Sequence, residues 1–219
     1  MPIINNIIFD WSGTLVDDLP AVLDTTNQIF TRYGRPPLTL TEFREKFCLP
    51  FTEFYARHLP EASMTEIDRD FTDAFKLLEA DTPLLPHAKE LLEYCRATGR
   101  KLFLLSSIHA EHYAAQAPRL GLAEYFTKAC VQVRDKREVI RALLAEFDLD
   151  PRATLFVGDM EHDIATARHG GVASCAVLTG YNTLPMLQAA APDLLFNDLR
   201  ELQDYLVRQS APLGRRRGK

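Results

Sequence analysis

The chain has 219 residues, 47% of them apolar, enough for one sizeable core carrying an insertion but short for two independent domains. Its net charge of −5 includes four positive charges in the tail Arg215, Arg216, Arg217 and Lys219, so the body stands near −9, a poor surface for nucleic acid or an anionic membrane. Cys48, Cys95, Cys130 and Cys175 are scattered without a Cys-x-x-Cys pair, no apolar run reaches bilayer length, and no basic stretch followed by a long apolar one opens the chain. The expectation is a reduced, cytoplasmic protein with neither nucleic-acid nor membrane partners, and with a disordered tail over 211–219.

In chain order, residues 3–9 read as a buried strand. From Val16 to about Asp81 no convincing strand follows. The spacing of Ile29, Phe30 and Tyr33, then Phe43 and Phe47, then Phe71, Phe75 and Leu78 predicts helices there. After it, apolar runs at 101–106, 128–133, 154–157, 174–178 and 193–196 alternate with helical patterns at 88–96, 138–147, 163–168 and 199–207. Near-continuous apolar strands alternating with helices predict an α/β fold, a Rossmann-like doubly wound parallel sheet covered on both faces. The core is expected to comprise 1–16 and 82–210, with 17–81 inserted after the first strand. Such an insertion stands beside the carboxyl end of the sheet, where open α/β folds bind ligands, so it is a candidate lid. Its aromatic residues read as its own core.

Four features fall at the carboxyl ends of these strands: Asp10 after Ile7-Ile8-Phe9, Ser106 ending KLFLLS, Lys136 in VRDKREV, and Asp159 with Asp163 in GDMEHD. Taken singly, Ser106 or Asp163 could be an ordinary helix cap and Lys136 a solvated charge. Together they can converge on one site.

In this order the four features resemble the motifs of the haloacid dehalogenase-like hydrolase superfamily, over roughly 3–206. Asp10-Trp11-Ser12-Gly13-Thr14-Leu15 matches its D-x-D-G-T-L/V except at the third position. Ser106 matches its strand-end Ser or Thr. Lys136 matches its lysine, although Arg137 stands where a proline often follows. Gly158, Asp159 and Asp163 match its G-D-x-x-x-D. The insertion resembles the small helical cap of the phosphoglycolate phosphatase and β-phosphoglucomutase relatives. The resemblance implies a phosphatase, phosphoglycolate phosphatase-like, that acts on a small phosphorylated metabolite as a monomer or homodimer. Asp10 would attack phosphorus to give an aspartyl-phosphate. Asp10, the carbonyl of Ser12, Asp159 and Asp163 would hold Mg²⁺, whose hard-cation chemistry suits oxygen ligands. Lys136 would neutralise charge at Asp10 and the phosphate. Ser106, Ser107 and the amides near Gly13 and Thr14 would bind phosphate oxygens.

Ser12 departs from the pattern. In the family's phosphatases the second Asp protonates the leaving group and then activates water. A hydroxyl is a poor substitute, and such help is worth about 10²–10⁴ in rate. Three accounts stand. A neighbouring donor replaces it, with Asp17, Asp18 and His109 nearest in sequence. Or the chain resembles phosphonoacetaldehyde hydrolase, whose motif begins D-W-A-G-T, although Phe51 then stands where its Schiff-base lysine belongs and Lys46 is only nearby. Or the protein is a weakened enzyme that binds phosphorylated ligands. Arg44, Lys46, Arg57 or His58 facing the cleft would indicate a second anionic group on the substrate, as in phosphoglycolate. A dehalogenase proper would not need the paired acids of GDMEHD.

Overall fold

The structure, a computed structural model, describes residues 3–210; the tail 211–219 lies outside the described residues. Six strands form one parallel sheet: β1 (Asn6–Phe9), β2 (Lys101–Leu105), β3 (Lys128–Cys130), β4 (Thr154–Gly158), β5 (Ala173–Val177) and β6 (Leu194–Phe196), in the order β3-β2-β1-β4-β5-β6. The central strand β1 pairs with β2 on one side and β4 on the other, so Phe9 lies between Leu104 and Val157. The residues just past these strands (Asp10, Ser106 and Asp159) therefore emerge side by side. The order turns outward in both directions from the β1–β4 pair, the place where open α/β sheets bind ligands.

Because successive strand residues face opposite ways, the apolar run of each inner strand feeds two cores. Ile7, Phe9, Leu102 and Leu104 pack with Leu91 and Leu92 of α5 (Ala88–Ala97) and with Leu202 and Leu206 of α10 (Leu199–Ser210). Ile8, Phe103 and Phe156 pack on the other face with Ile140 and Leu143 of α7 (Arg137–Glu146) and Ala167 of α8 (Glu161–Gly170). The remaining core helices are α6 (Ala110–Arg119) and α9 (Leu184–Ala190).

Between β1 and α5 the chain forms four helices: α1 (Leu19–Arg32), α2 (Leu40–Lys46), α3 (Phe51–His58) and α4 (Met64–Phe75). Two of them start on capping boxes, Thr39 with Glu42 and Ser63 with Glu66, which satisfy amides that the first turn leaves orphaned. Asp70 of α4, its side chain only 6% exposed, takes an ion pair at 2.7 Å from Arg32 of α1. Ile29, Phe30, Phe43, Phe54, Leu59 and Ile67 give this layer its own core, joined from the sheet side by Met160 and Tyr181.

The ends of several elements differ from the sequence pattern. β1 begins at Asn6, since Ile3 is exposed and only Ile4 is buried before it. The run at 128–133 keeps ladder pairing only to Cys130, after which Val133 turns back to donate to the Ser106 carbonyl. Leu78 lies past the end of α4 and precedes a short 3₁₀ turn over Glu79–Asp81.

Candidate active site

Asp10, Asp159 and Asp163 are all buried, and one carboxylate oxygen from each lies within 4.8 Å of the other two. Lys136, fully buried at the start of α7, donates to Asp10 Oδ2 at 2.8 Å and to Asp163 Oδ1 at 2.7 Å. Burial alone would discharge this lysine, but the two carboxylates outweigh that and hold its basicity above the ordinary value. Burial pushes the carboxyls of Asp10 and Asp159 upward. For Asp10 the nearby ammonium pulls back; for Asp159 the like charges of Asp163 and Asp10 add to the rise.

Three buried carboxylates facing one ammonium leave an excess of two negative charges, which a low-dielectric site does not tolerate uncompensated. One divalent cation balances it, and an all-oxygen donor set suits a hard one. The remaining oxygen of Asp10, Oδ1, is buried with no hydrogen-bond partner. The residues therefore fit a metal bound among these acids.

The turns that carry the acids are held by glycines. Gly13 has φ +69°, and a Cβ there would sit 2.6 Å from Asp159 Oδ2 and 2.9 Å from Gly180 Cα. A Cβ on Gly158 would collide with the Asp163 carboxylate, and one on Gly180 with that of Asp159. Asp159 is fixed by Thr14 Oγ1 at 2.9 Å and by the Tyr181 amide at 2.7 Å. Asp163 Oδ2 accepts from the Met160 amide at 3.0 Å. Thr14 thus spends its hydroxyl on Asp159. The Gly13 amide donates to the Val16 carbonyl and that of Thr14 to the Trp11 carbonyl, so neither amide is free for phosphate in this arrangement. Ser106 is fully buried and its Oγ accepts from the Ile108 amide at 3.3 Å, whereas Ser107 lines the adjoining cavity.

That cavity lies between the sheet ends and helices α1–α4 and holds about 750 Å³ of space, part of it open to solvent. Asp10, Ser12, Asp18, Ser107 and His109 all reach it. Asp18 is 1% exposed, receives a hydrogen bond from the Tyr181 hydroxyl at 3.1 Å and contacts the Ser12 hydroxyl. Burial pushes its pKa up to about 7, against the two hydrogen bonds that favour its charged form. Of the three neighbours of Ser12, Asp17 does not line the cavity, while Asp18 and His109 do. None of Arg44, Lys46, Arg57 and His58 lines it: Arg44 donates to the Gly180 carbonyl at 3.0 Å, and Lys46 stands 3.6 Å from Glu42. Phe51 does line it, whereas Lys46 and Lys76, the lysines of the helical insertion, do not.

Sequence reasoning missed the segment Thr179–Gly180–Tyr181–Asn182 after β5. Thr179 Oγ1 donates to the Gly13 carbonyl at 2.7 Å, Tyr181 holds both Asp159 and Asp18, and Asn182 Oδ1 accepts from the Glu161 amide at 2.7 Å. The available signal was its position beyond a fifth strand end, with a Gly between polar residues.

Known proteins resemble the chain in sequence and in fold. A family model described as haloacid dehalogenase-like hydrolase matches residues 7–177. The phosphoglycolate phosphatase of Synechococcus elongatus is 28% identical over 218 residues, covering 93% of this chain and 99% of its own. A haloacid dehalogenase-like hydrolase from Streptococcus pneumoniae superposes with TM-score 0.82 at 23% identity, covering 94% of this chain and 99% of that one. CbbY from Rhodobacter sphaeroides, solved in complex with phosphate, superposes with TM-score 0.77 at 21% identity, covering 91% and 96%. The two structures show the likeness of fold; the family model, spanning most of the chain, shows the lineage. The chain belongs to the haloacid dehalogenase-like hydrolases.

Proposed function

We propose that this hydrolase is a Mg²⁺-dependent phosphatase that acts on a small phosphomonoester through an aspartyl-phosphate on Asp10. Residues 1–16 with 82–210 form its core and 17–81 its cap. The observation that carries the reading is Asp10: Lys136 holds one of its oxygens, and the other, buried at the cavity, has no partner. That is the posture of a nucleophile.

Asp10, the Ser12 carbonyl, Asp159 and Asp163 would hold the Mg²⁺, which when bound offsets the charge of phosphate and carboxylates. Lys136 keeps Asp10 oriented and ionised, and Ser106 and Ser107 offer hydroxyls to phosphate oxygens. Asp10 Oδ1 attacks phosphorus, and the bond from phosphorus to the ester oxygen breaks. The departing oxygen takes a proton from Asp18, which stands in for the carboxylate missing at position 12. Water then attacks the phosphorus of the aspartyl-phosphate and gives its proton to Asp18, and the bond to Oδ1 breaks to free inorganic phosphate. What supports Asp18 in this role is its place on the cavity wall beside Asp10 and Ser12, with Tyr181 orienting it. The four cysteines are unpaired, which fits the expected cytoplasmic setting.

The test is Mg²⁺-dependent phosphate release across a panel of phosphomonoesters, with Asp10→Asn beside the parent. Release that vanishes in Asp10→Asn and in chelator supports the reading. Release untouched by either overturns it.

A further inference from the structure

We infer that the substrate's organic part is uncharged, largely apolar and of aryl size, and that a second anionic group such as a carboxylate is rejected. The inference rests on the phosphatase reading above and names its substrate class. The cavity beyond Asp10 is walled by Phe47, Phe51, Ile67, Phe71, Phe75 and Ile108. These rings are mutually packed: Phe71 lies 5.4 Å from Phe75 and 6.1 Å from His109, and Phe51 lies 6.3 Å from His109, centroid to centroid. Such a lining gains from covering an apolar group and has little to offer a hydrated ion.

Charge points the same way. Among the described residues, no lysine or arginine lines the cavity, whereas Asp18 and Asp68 do. Two histidines remain. His112 is 1% exposed, with its Nδ1 2.7 Å from the Glu79 carboxylate, so any positive charge on it is already matched. Burial, above all, lowers the basicity of His109 below that of an ordinary imidazole, which weakens it as a partner for an anion. A carboxylate brought in with the substrate would lose its water and find no unmatched cation, since Arg134, the cation nearest Asp68, already pairs with it at 3.7 Å, an arrangement that costs more than it returns. His112 Nε2, buried without a partner, offers a polar anchor on this wall for an uncharged group such as a hydroxyl, which can donate to a ring nitrogen or accept from it. The substrate expected here thus differs from the one that the name of the relative phosphoglycolate phosphatase gives.

The test compares benzyl phosphate with phosphoglycolate, both esters of alcohols, so that leaving-group strength does not decide the result. The expected kcat/KM for benzyl phosphate exceeds that for phosphoglycolate by at least about tenfold. Phe51→Lys, which puts a cation on the wall, narrows or reverses that ratio. Equal or better turnover of phosphoglycolate by the parent overturns the inference while leaving the phosphatase reading intact. A binding arm separates the two failures. If nothing is hydrolysed, tighter calorimetric binding of benzylphosphonate than of phosphonoacetate, with Mg²⁺ present, sustains the inference against a failed phosphatase reading. The opposite order overturns it.

Discussion

The two ends of the cavity are built on opposite principles. At the sheet end, charges are buried and almost every polar atom is spoken for: Lys136 by two carboxylates, Asp159 by Thr14 and the Tyr181 amide, Asp163 by Lys136 and the Met160 amide. At the helical end, rings and aliphatic side chains make up most of the wall, and the charged residues of α2 and α3 turn elsewhere. The first end is rigid because any displaced charge would be left unpaired in a low dielectric. The second is adjustable, since one apolar side chain exchanges for another at modest cost. On the proposed reading, chemistry resides in the first and selectivity in the second.

The variant expected to break this contrast most severely is Lys136→Met. It leaves Asp10 and Asp163 without their shared cation, so stability in EDTA falls by about 3–5 kcal/mol and phosphate release by at least about 10²–10³-fold. Urea unfolding and steady-state assays read the two effects, and Mg²⁺ is expected to restore part of the stability.

Second comes Asp18, the carboxylate proposed to stand in for the one missing at position 12. Asp18→Asn is expected to slow turnover of alkyl phosphates by about 10²–10⁴-fold, and aryl phosphates less, because aryl oxides leave with little protonation. Adding Ser12→Asp to that variant returns a carboxyl to the motif position and recovers much of the loss. Failure of the pair to recover, with folding intact by circular dichroism, would mean that position 18 does not serve proton transfer.

The same residue sharpens the comparison through pH. Folded Asp18 holds its proton up to about 7, whereas unfolded it releases it near 3.8. The folded state therefore carries an extra proton between those values, and the stability this contributes is lost as pH rises through 7. In EDTA the parent is expected to lose stability from pH 5 to 7.5, and Asp18→Asn to remove up to about 3 kcal/mol of that loss. The smallest effect is steric. Gly180→Ala drives a methyl into the Asp159 carboxylate and is expected to cost about 1–3 kcal/mol, read by thermal unfolding.

Much of the sheet end was legible in the sequence because its signals are local. An apolar run followed by Asp10, by Ser106 or by Gly158-Asp159 marks a strand end whichever helix lies above it, and parallel pairing brings those ends together. The use of Gly13 and Thr14 was not legible, since their hydrogen bonds depend on turn closure onto Trp11 and Val16 and on Asp159, 145 residues away from Thr14. The 179–182 segment went unseen for a related reason: its partners, Gly13, Asp18 and Asp159, are all distant in sequence. In the helical layer, periodicity located α1, α2 and α4, but it could not say that Arg44 reaches Gly180 or that Phe51 faces the cavity. Helical spacing gives a face; only packing gives its neighbour.

The most direct test of the account is to trap the covalent intermediate. The protein is mixed with Mg²⁺ and a turned-over phosphomonoester, quenched with borohydride, and the peptide spanning residue 10 analysed by mass spectrometry. The account predicts reduction of the aspartyl-phosphate to homoserine at position 10, dependent on both substrate and Mg²⁺. Phosphate released at full rate with Asp10 unmodified, or with Asp10 replaced by Asn, would contradict it.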